Sequence, residues 1–162
     1  MSYCSSAPRS ISFTLLISAF FLTSCAPPPP PQPVPHPDPT KESWYAPATA
    51  KITELAQNAQ SAFKRGDQDK AAALIEEAKP ITTRLLLAPH PTLAAVEAAS
   101  DLDELYGEML FTNHNYGWAR MFFQKNTARW KLWTPQTPDT AQRLKLAQDA
   151  IDRCDKAMLG PL

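Results

Sequence analysis

The stretch Ala59–Ala78, AQSAFKRGDQDKAAALIEEA, decides the fold. On its N-terminal side Ala48, Ile52, Leu55, Ala56, Ala59, Ala62 and Phe63 recur at three- and four-residue steps, the spacing of one helix face. Gly66 follows the last of them and suits the C′ position that ends a helix, and Asp67 can cap the next one. The stripe then resumes as Ala71, Leu74, Ile75, Ala78, Ile81 and Leu85. Helix, tight turn, helix is the reading. Pro80 falls inside the second stripe and should kink or split that helix near Lys79.

The same arrangement returns at Gly107–Asn126, GEMLFTNHNYGWARMFFQKN, with Gly107 standing 48 residues after Ala59. Ala59, Phe63, Gly66, Asp67, Ala71, Ile75 and Ala78 answer to Gly107, Phe111, His114, Asn115, Ala119, Phe123 and Asn126. Both units resemble the tetratricopeptide repeat. That family places a small residue early in its first helix, an aromatic near its end and a Gly-Asp-Tyr-type turn. Its second helix has an alanine, an aromatic four residues on and another alanine three after that. Gly107, Tyr116, Ala119 and Phe123 match in the second unit; Gly66, Asp67, Ala71 and Ala78 match in the first. The 48-residue period exceeds the family's usual ~34, the first unit lacks the turn tyrosine, and Asn126 stands where alanine belongs. The resemblance, over about residues 48–130, implies stacked helical hairpins that bind other proteins. The alternative is an irregular helical bundle.

Further along, Ala88-Pro89-His90-Pro91 breaks the chain before a third helix that runs to about Phe111, with Val96, Ala99, Leu102, Tyr106, Met109 and Leu110 as its stripe. Asn115 is placed to cap a fourth helix ending near Trp133. After Thr134–Pro138, Thr137 as N-cap and Pro138 at the first helical position begin a fifth, whose stripe is Leu144, Ala147, Ile151, Cys154 and Met158. No segment alternates in polarity as a strand does. The expected fold is therefore all-α, with about five helices, the last one capping two hairpins. Composition agrees, with 17 prolines and only 4 glycines in 162 residues, against average usage of roughly 5% and 7%. Sixteen basic and sixteen acidic side chains give zero net charge, so the general nucleic-acid binder with its basic excess is excluded.

Upstream of residue 47 the chain has a different character. Pro27–Pro39 (PPPPPQPVPHPDP) holds nine prolines, which fix φ and remove amide donors; it should form an extended polyproline II spacer at about 3.1 Å per residue. Ile11–Leu22 is an apolar run of 12 residues, the length of a signal-peptide core and short of the ~20 that cross a bilayer. It ends in Leu22-Thr23-Ser24-Cys25, which resembles the lipobox of bacterial lipoproteins. The resemblance implies cleavage before Cys25, lipidation of its thiol and membrane attachment. Ala26, where an Asp would retain the protein in the inner membrane, implies sorting to the outer membrane, facing the periplasm. The expected organisation is signal peptide 1–24, lipidated cysteine and spacer 25–46, and helical domain 47–162.

Little in the domain points to catalysis. Cys154 has no partner cysteine after processing and lies on the apolar stripe of the fifth helix, so it reads as a small core residue. His36, His90 and His114 are scattered without ligand spacing, and no nucleophile elbow or phosphate loop occurs. Neither a catalytic residue nor a metal or cofactor is expected. The alternatives are a periplasmic hydrolase using the carboxylates Asp101, Asp103, Glu104 and Glu108, or a tether to the peptidoglycan wall. More distinctive is Phe111–Trp133, with seven aromatics, four basic residues and no acid, preceded by five acids without a base from Glu97 to Glu108. A hairpin would set the acidic helix against the basic one. Trp118, Arg129, Trp130, Lys131 and Trp133 are the candidate contacts for an envelope protein partner, since aromatics and arginine concentrate in interface hot spots.

Overall fold

The computed structural model describes residues 37–160. The residues read as signal segment, lipidated Cys25 and spacer, as far as His36, lie outside the described residues. After a 3-10 turn at Pro39–Lys41, capped by Asp38, the described chain is five helices: α1 (Tyr45–Lys64), α2 (Gln68–Leu86), α3 (Leu93–Thr112), α4 (Tyr116–Leu132) and α5 (Pro138–Leu159). The domain is all-α, as its periodicity requires. Its first α-helix begins with Tyr45. That ring is buried, its hydroxyl donates to the Leu85 carbonyl at 3.4 Å, and the Thr92 amide donates to it at 3.2 Å. One phenol thus ties the start of α1 to the end of α2 and the start of α3.

Contacts between helices give the topology. Ser100 meets Trp130 while Asp103 meets Lys125, so α3 and α4 are antiparallel. Asp101 pairs with Arg143 and Glu108 with Arg153, so α3 and α5 are parallel. Packing follows the order α2, α1, α3, α4, α5. The larger core fills the space among α1, α2 and α3, where Ala59, Ala62, Ala71, Ala78 and Ala95 let the helices approach closely. A smaller core of Ala119, Phe123, Ala150 and Cys154 joins α4 to α5, with Leu110 and Phe111 of α3 against it. Gly107 is part of the same economy of space. A Cβ there would lie 2.7 Å from Cε1 of Phe123, so the ring occupies the place of the missing methyl group.

The two hairpin turns share one backbone. Gly66 donates to Phe63 O at 2.9 Å and Asp67 to Ala62 O at 3.0 Å; 48 residues on, His114 donates to Phe111 O at 3.0 Å and Asn115 to Leu110 O at 2.8 Å. Each pair is the 5→2 and 6→1 pattern of a Schellman cap. Gly66 and His114 occupy the same left-handed slot, at φ 82° and 61°. The repeat in sequence is therefore a repeat in hydrogen bonding. The capping chemistry differs: Asp67 accepts from Lys70 N at 3.1 Å, whereas Asn115 holds the cap position without a side-chain bond. Left-handed backbone costs an L-residue roughly 1–2 kcal/mol, partly offset by the unfolded-state entropy that glycine adds. His114→Gly should accordingly raise stability by about 0.5–1 kcal/mol in urea unfolding, and Gly66→Ala should lower it by about 1 kcal/mol. A loss on His114→Gly would count against the shared turn.

Pro80 does not split its helix. α2 runs unbroken through it, because the residue is exposed and the carbonyl it leaves without a donor belongs to Glu76, also exposed. Water can take the place of the missing amide there. At the start of α5, Thr137 and Thr140 cap one another's amides, with Pro138 at the first helical position.

Candidate functional site

Each face of α4 has a different role. Ala119, Phe123, Asn126 and Trp130 recur at steps of four, three and four and are all buried against neighbouring helices. Trp130 Nε1 donates to Ser100 Oγ at 2.8 Å, and Asn126 Nδ2 donates to the Ser100 carbonyl at 2.9 Å. Asp103 accepts from Arg129 at 2.7 Å and Lys125 at 2.9 Å, and the Arg129 guanidinium also bonds Asn126. On the side toward α5, Arg120 reaches Asp155 at 2.6 Å. The remaining face carries Trp118, Met121, Lys125, Ala128 and Leu132, an exposed stripe at steps of three, four, three and four from which Lys125 reaches Asp103 of α3. Trp118 is 62% exposed, Met121 45% and Leu132 81%.

The five candidate contacts therefore separate. Trp118 and Lys131 are at the surface, and Trp133 is half buried. Trp130 is 1% exposed and cannot meet a partner. Arg129 is likewise turned inward, with its charge taken up by Asp103. The correction has a simple cause: a tryptophan beside basic residues suits a surface equally well unless its N–H finds an internal acceptor, and Ser100 supplies one from another helix. Sequence reasoning missed Met121 and Leu132, although their spacing from Trp118 was there to be read.

Beside the exposed stripe lies a groove between α2 and α4, floored by α3. One part, a cleft of about 290 Å³, is bounded by Ile75, Lys79, Thr82, Leu102, Tyr106 and Phe122. Tyr106 and Phe122 meet edge to face with centroids 4.8 Å apart. Lys79 stands 5.0 Å from the Tyr106 ring, and Lys125 stands 5.7 Å from that of Phe122. A second cleft, of about 400 Å³, lies against Leu86, Pro91, Val96, Arg129, Leu132 and Trp133. This face is apolar with a cationic border.

The side formed by α1, α3 and α5 is acidic. Glu97, Asp101, Glu104 and Glu108 share a face of α3 by their four-three-four spacing, on the side toward α1 and α5. The expected opposition of acidic α3 and basic α4 thus holds for Asp103 alone. Arg143 takes Asp101 at 2.6 Å and approaches Glu97 at 3.9 Å, and Arg153 takes Glu108. Glu104 lies between these pairs, facing Gln57 and Gln60 across a cleft against α1. Partial burial raises its carboxyl above the usual range, and the neighbouring charges of Asp101 and Glu108 raise it further. A group raised in the folded state favours folding when protonated and loses that contribution as pH climbs through its folded value. Glu104→Gln should therefore raise the melting temperature at pH 7–8 and leave it nearly unchanged near pH 4; an equal effect at both pH values would refute the assignment. Cys154 sits in the α4–α5 core, where burial pushes its thiol upward.

Among the described residues no helix is long and apolar enough to cross a membrane. No family model, curated protein or solved structure matches this chain.

Proposed function

We propose that the chain is an envelope lipoprotein, attached through Cys25 to the outer membrane and facing the periplasm, whose helical domain is a protein-binding adaptor. The observation that carries the adaptor reading is the exposed stripe Trp118, Met121, Leu132 on a helix whose other faces are already committed to α3 and α5. Large apolar side chains arranged along one line in water mark an interaction surface more often than scattered ones do. The repeated Schellman turns and the Gly107–Phe123 fit support the tetratricopeptide-like reading of the hairpins. Such folds mostly hold other proteins together, for example peptidoglycan enzymes or a secretion-system component, and that step is an argument from fold.

A photo-crosslinking amino acid placed at Met121 in cells tests the proposal. It should capture a defined envelope protein, and Trp118→Ala with Leu132→Ala should abolish capture while changing stability by no more than about 0.5 kcal/mol each. Absence of a crosslinked product from position 121, with Met121 variants normally abundant, would remove the adaptor reading. Cys25→Ala should release the protein from the membrane fraction; two or three acyl chains are needed for durable anchoring at about 0.8 kcal/mol per buried CH₂. Sedimentation with purified peptidoglycan would instead support the wall tether. The alternative hydrolase would use the α3 carboxylates; loss of a peptidoglycan-cleaving activity in Glu104→Gln or Glu108→Gln would favour it.

A further inference from the structure

The chemistry of the partner can be read from the same surface, an inference that rests on the adaptor reading. We propose that the groove between α2 and α4 receives an amphipathic helix with acidic flanks from a partner protein. The exposed stripe follows a three-four repeat from Trp118 to Leu132, the spacing by which one helix lays its apolar seam along another. Fourteen residues at about 1.5 Å each make roughly 21 Å, or four turns of an incoming helix. On the α2 side the cleft is bordered by the short side chains Thr82 and Thr83 beside Lys79.

Charge selects the kind of helix. Arg120, Lys125, Arg129 and Lys131 give α4 four cations, and no acid occurs from Tyr116 to Leu132. Asp103 and Asp155 are the two carboxylates that reach them, so two positive charges stay uncompensated along this helix. Lys125 is 56% exposed even while bonded to Asp103, and it remains open to a second carboxylate. The Tyr106–Phe122 pair between Lys79 and Lys125 supplies an apolar floor with a cation at either side, Lys79 held by Glu76 and Lys125 by Asp103, which also lines the cleft. Glutamates flanking an apolar seam would meet Lys125 and Lys79 while Leu or Phe side chains fill the floor. Lysines in their place would meet like charge.

Synthetic 18-residue peptides test this on the full-length wild-type chain in detergent. One has leucines at three-four spacing with glutamate flanks, a second has lysine flanks, and a third is the glutamate peptide with its order scrambled. The glutamate-flanked helix should bind about tenfold or more tightly than either control and weaken severalfold as salt rises from about 50 to 500 mM. Lys79→Gln with Lys125→Gln should weaken it severalfold, with thermal melting confirming that the variant folds. Equal binding of glutamate- and lysine-flanked peptides overturns the proposal. So does equal binding of the scrambled peptide, which would make the site a mere charge attractor. Displacement of the bound peptide by phosphatidylglycerol vesicles but not by phosphatidylcholine vesicles assigns the face to anionic lipid instead, and also overturns it. A partner crosslinked at Met121 without any peptide preference keeps the adaptor reading and removes only the acidic helix. Peptide binding without a crosslinked partner does the reverse.

Discussion

Trp130→Ala should destabilise the domain by roughly 3–5 kcal/mol, the range for removing a fully buried aromatic ring. The side chain is 1% exposed, so nearly all of its surface is taken from water. Its loss also orphans Ser100 Oγ, which is buried and accepts from the indole N–H at 2.8 Å. An orphaned buried hydroxyl adds about 1 kcal/mol or more to the cavity term. Native stabilities run to about 5–15 kcal/mol, so the variant should fold only marginally. Trp130→Phe separates the two contributions: it keeps most of the ring volume, loses the hydrogen bond and should cost about 2 kcal/mol. Ser100→Ala on the Trp130→Phe background should then cost less than on wild type, because the partner is already gone. Urea unfolding followed by far-ultraviolet circular dichroism reads all three. A Trp130→Ala loss below about 1 kcal/mol would place the indole at the surface and restore it as a contact for a partner.

How far the fold was legible follows from which residues obey a local rule. Gly66, Asp67, Thr137 and Pro138 act through their immediate neighbours, and each occupies the turn or cap position expected of it. Ala71, Ile75, Ala119 and Phe123 recur 48 residues apart and are buried at 0%, 3%, 0% and 0% exposure. What sequence could not supply was the meaning of the departures from the repeat. Ile52 and Ala78 of the first hairpin answer to Ser100 and Asn126 of the second, and these polar residues bond one another and Trp130. An asparagine that spoils a pattern is, in three dimensions, half of a buried pair whose other half lies 26 residues away. Periodicity also fails on α4 itself. Apolar side chains occupy both its inner face and its outer stripe, so no single stripe separates core from surface.

The candidate site was legible in composition and not in orientation. Aromatic and basic residues do concentrate on α4, but the helix turns Arg129 and Trp130 inward and Trp118 outward. The acids of α3 show the same division. Glu97, Asp101, Glu104 and Glu108 fall on one helical face by spacing alone, and Asp103 falls on another. Only the position of α5, which sequence does not reveal, explains why the first group is met by Arg143 and Arg153.

Asp103 carries the second large effect, and its size depends on which partner is stranded. The carboxylate holds two cations in unequal surroundings: Arg129 has a side chain 11% exposed, whereas that of Lys125 is 56% exposed. If Asp103 becomes alanine, Lys125 swings into water at little cost. Arg129 stays nearly enclosed, with only the side-chain oxygen Oδ1 of Asn126 to accept from it. Removing one member of a buried ion pair costs about 3–5 kcal/mol, and the residual exposure here trims that to roughly 2–4 kcal/mol. Lys125→Ala should cost below about 1 kcal/mol, as exposed pairs do. Arg129→Ala should cost less than Asp103→Ala, because Asp103 keeps Lys125, and the double variant should fall short of the sum by about 1 kcal/mol or more, since no guanidinium is then stranded. Met at position 129 with Leu at 103 tests the limit of the argument, because apolar replacement of both partners can equal the ion pair or exceed it. Strict additivity of the two alanine changes would show that Asp103 and Arg129 do not act as a pair, and would return Arg129 to the solvent face of α4.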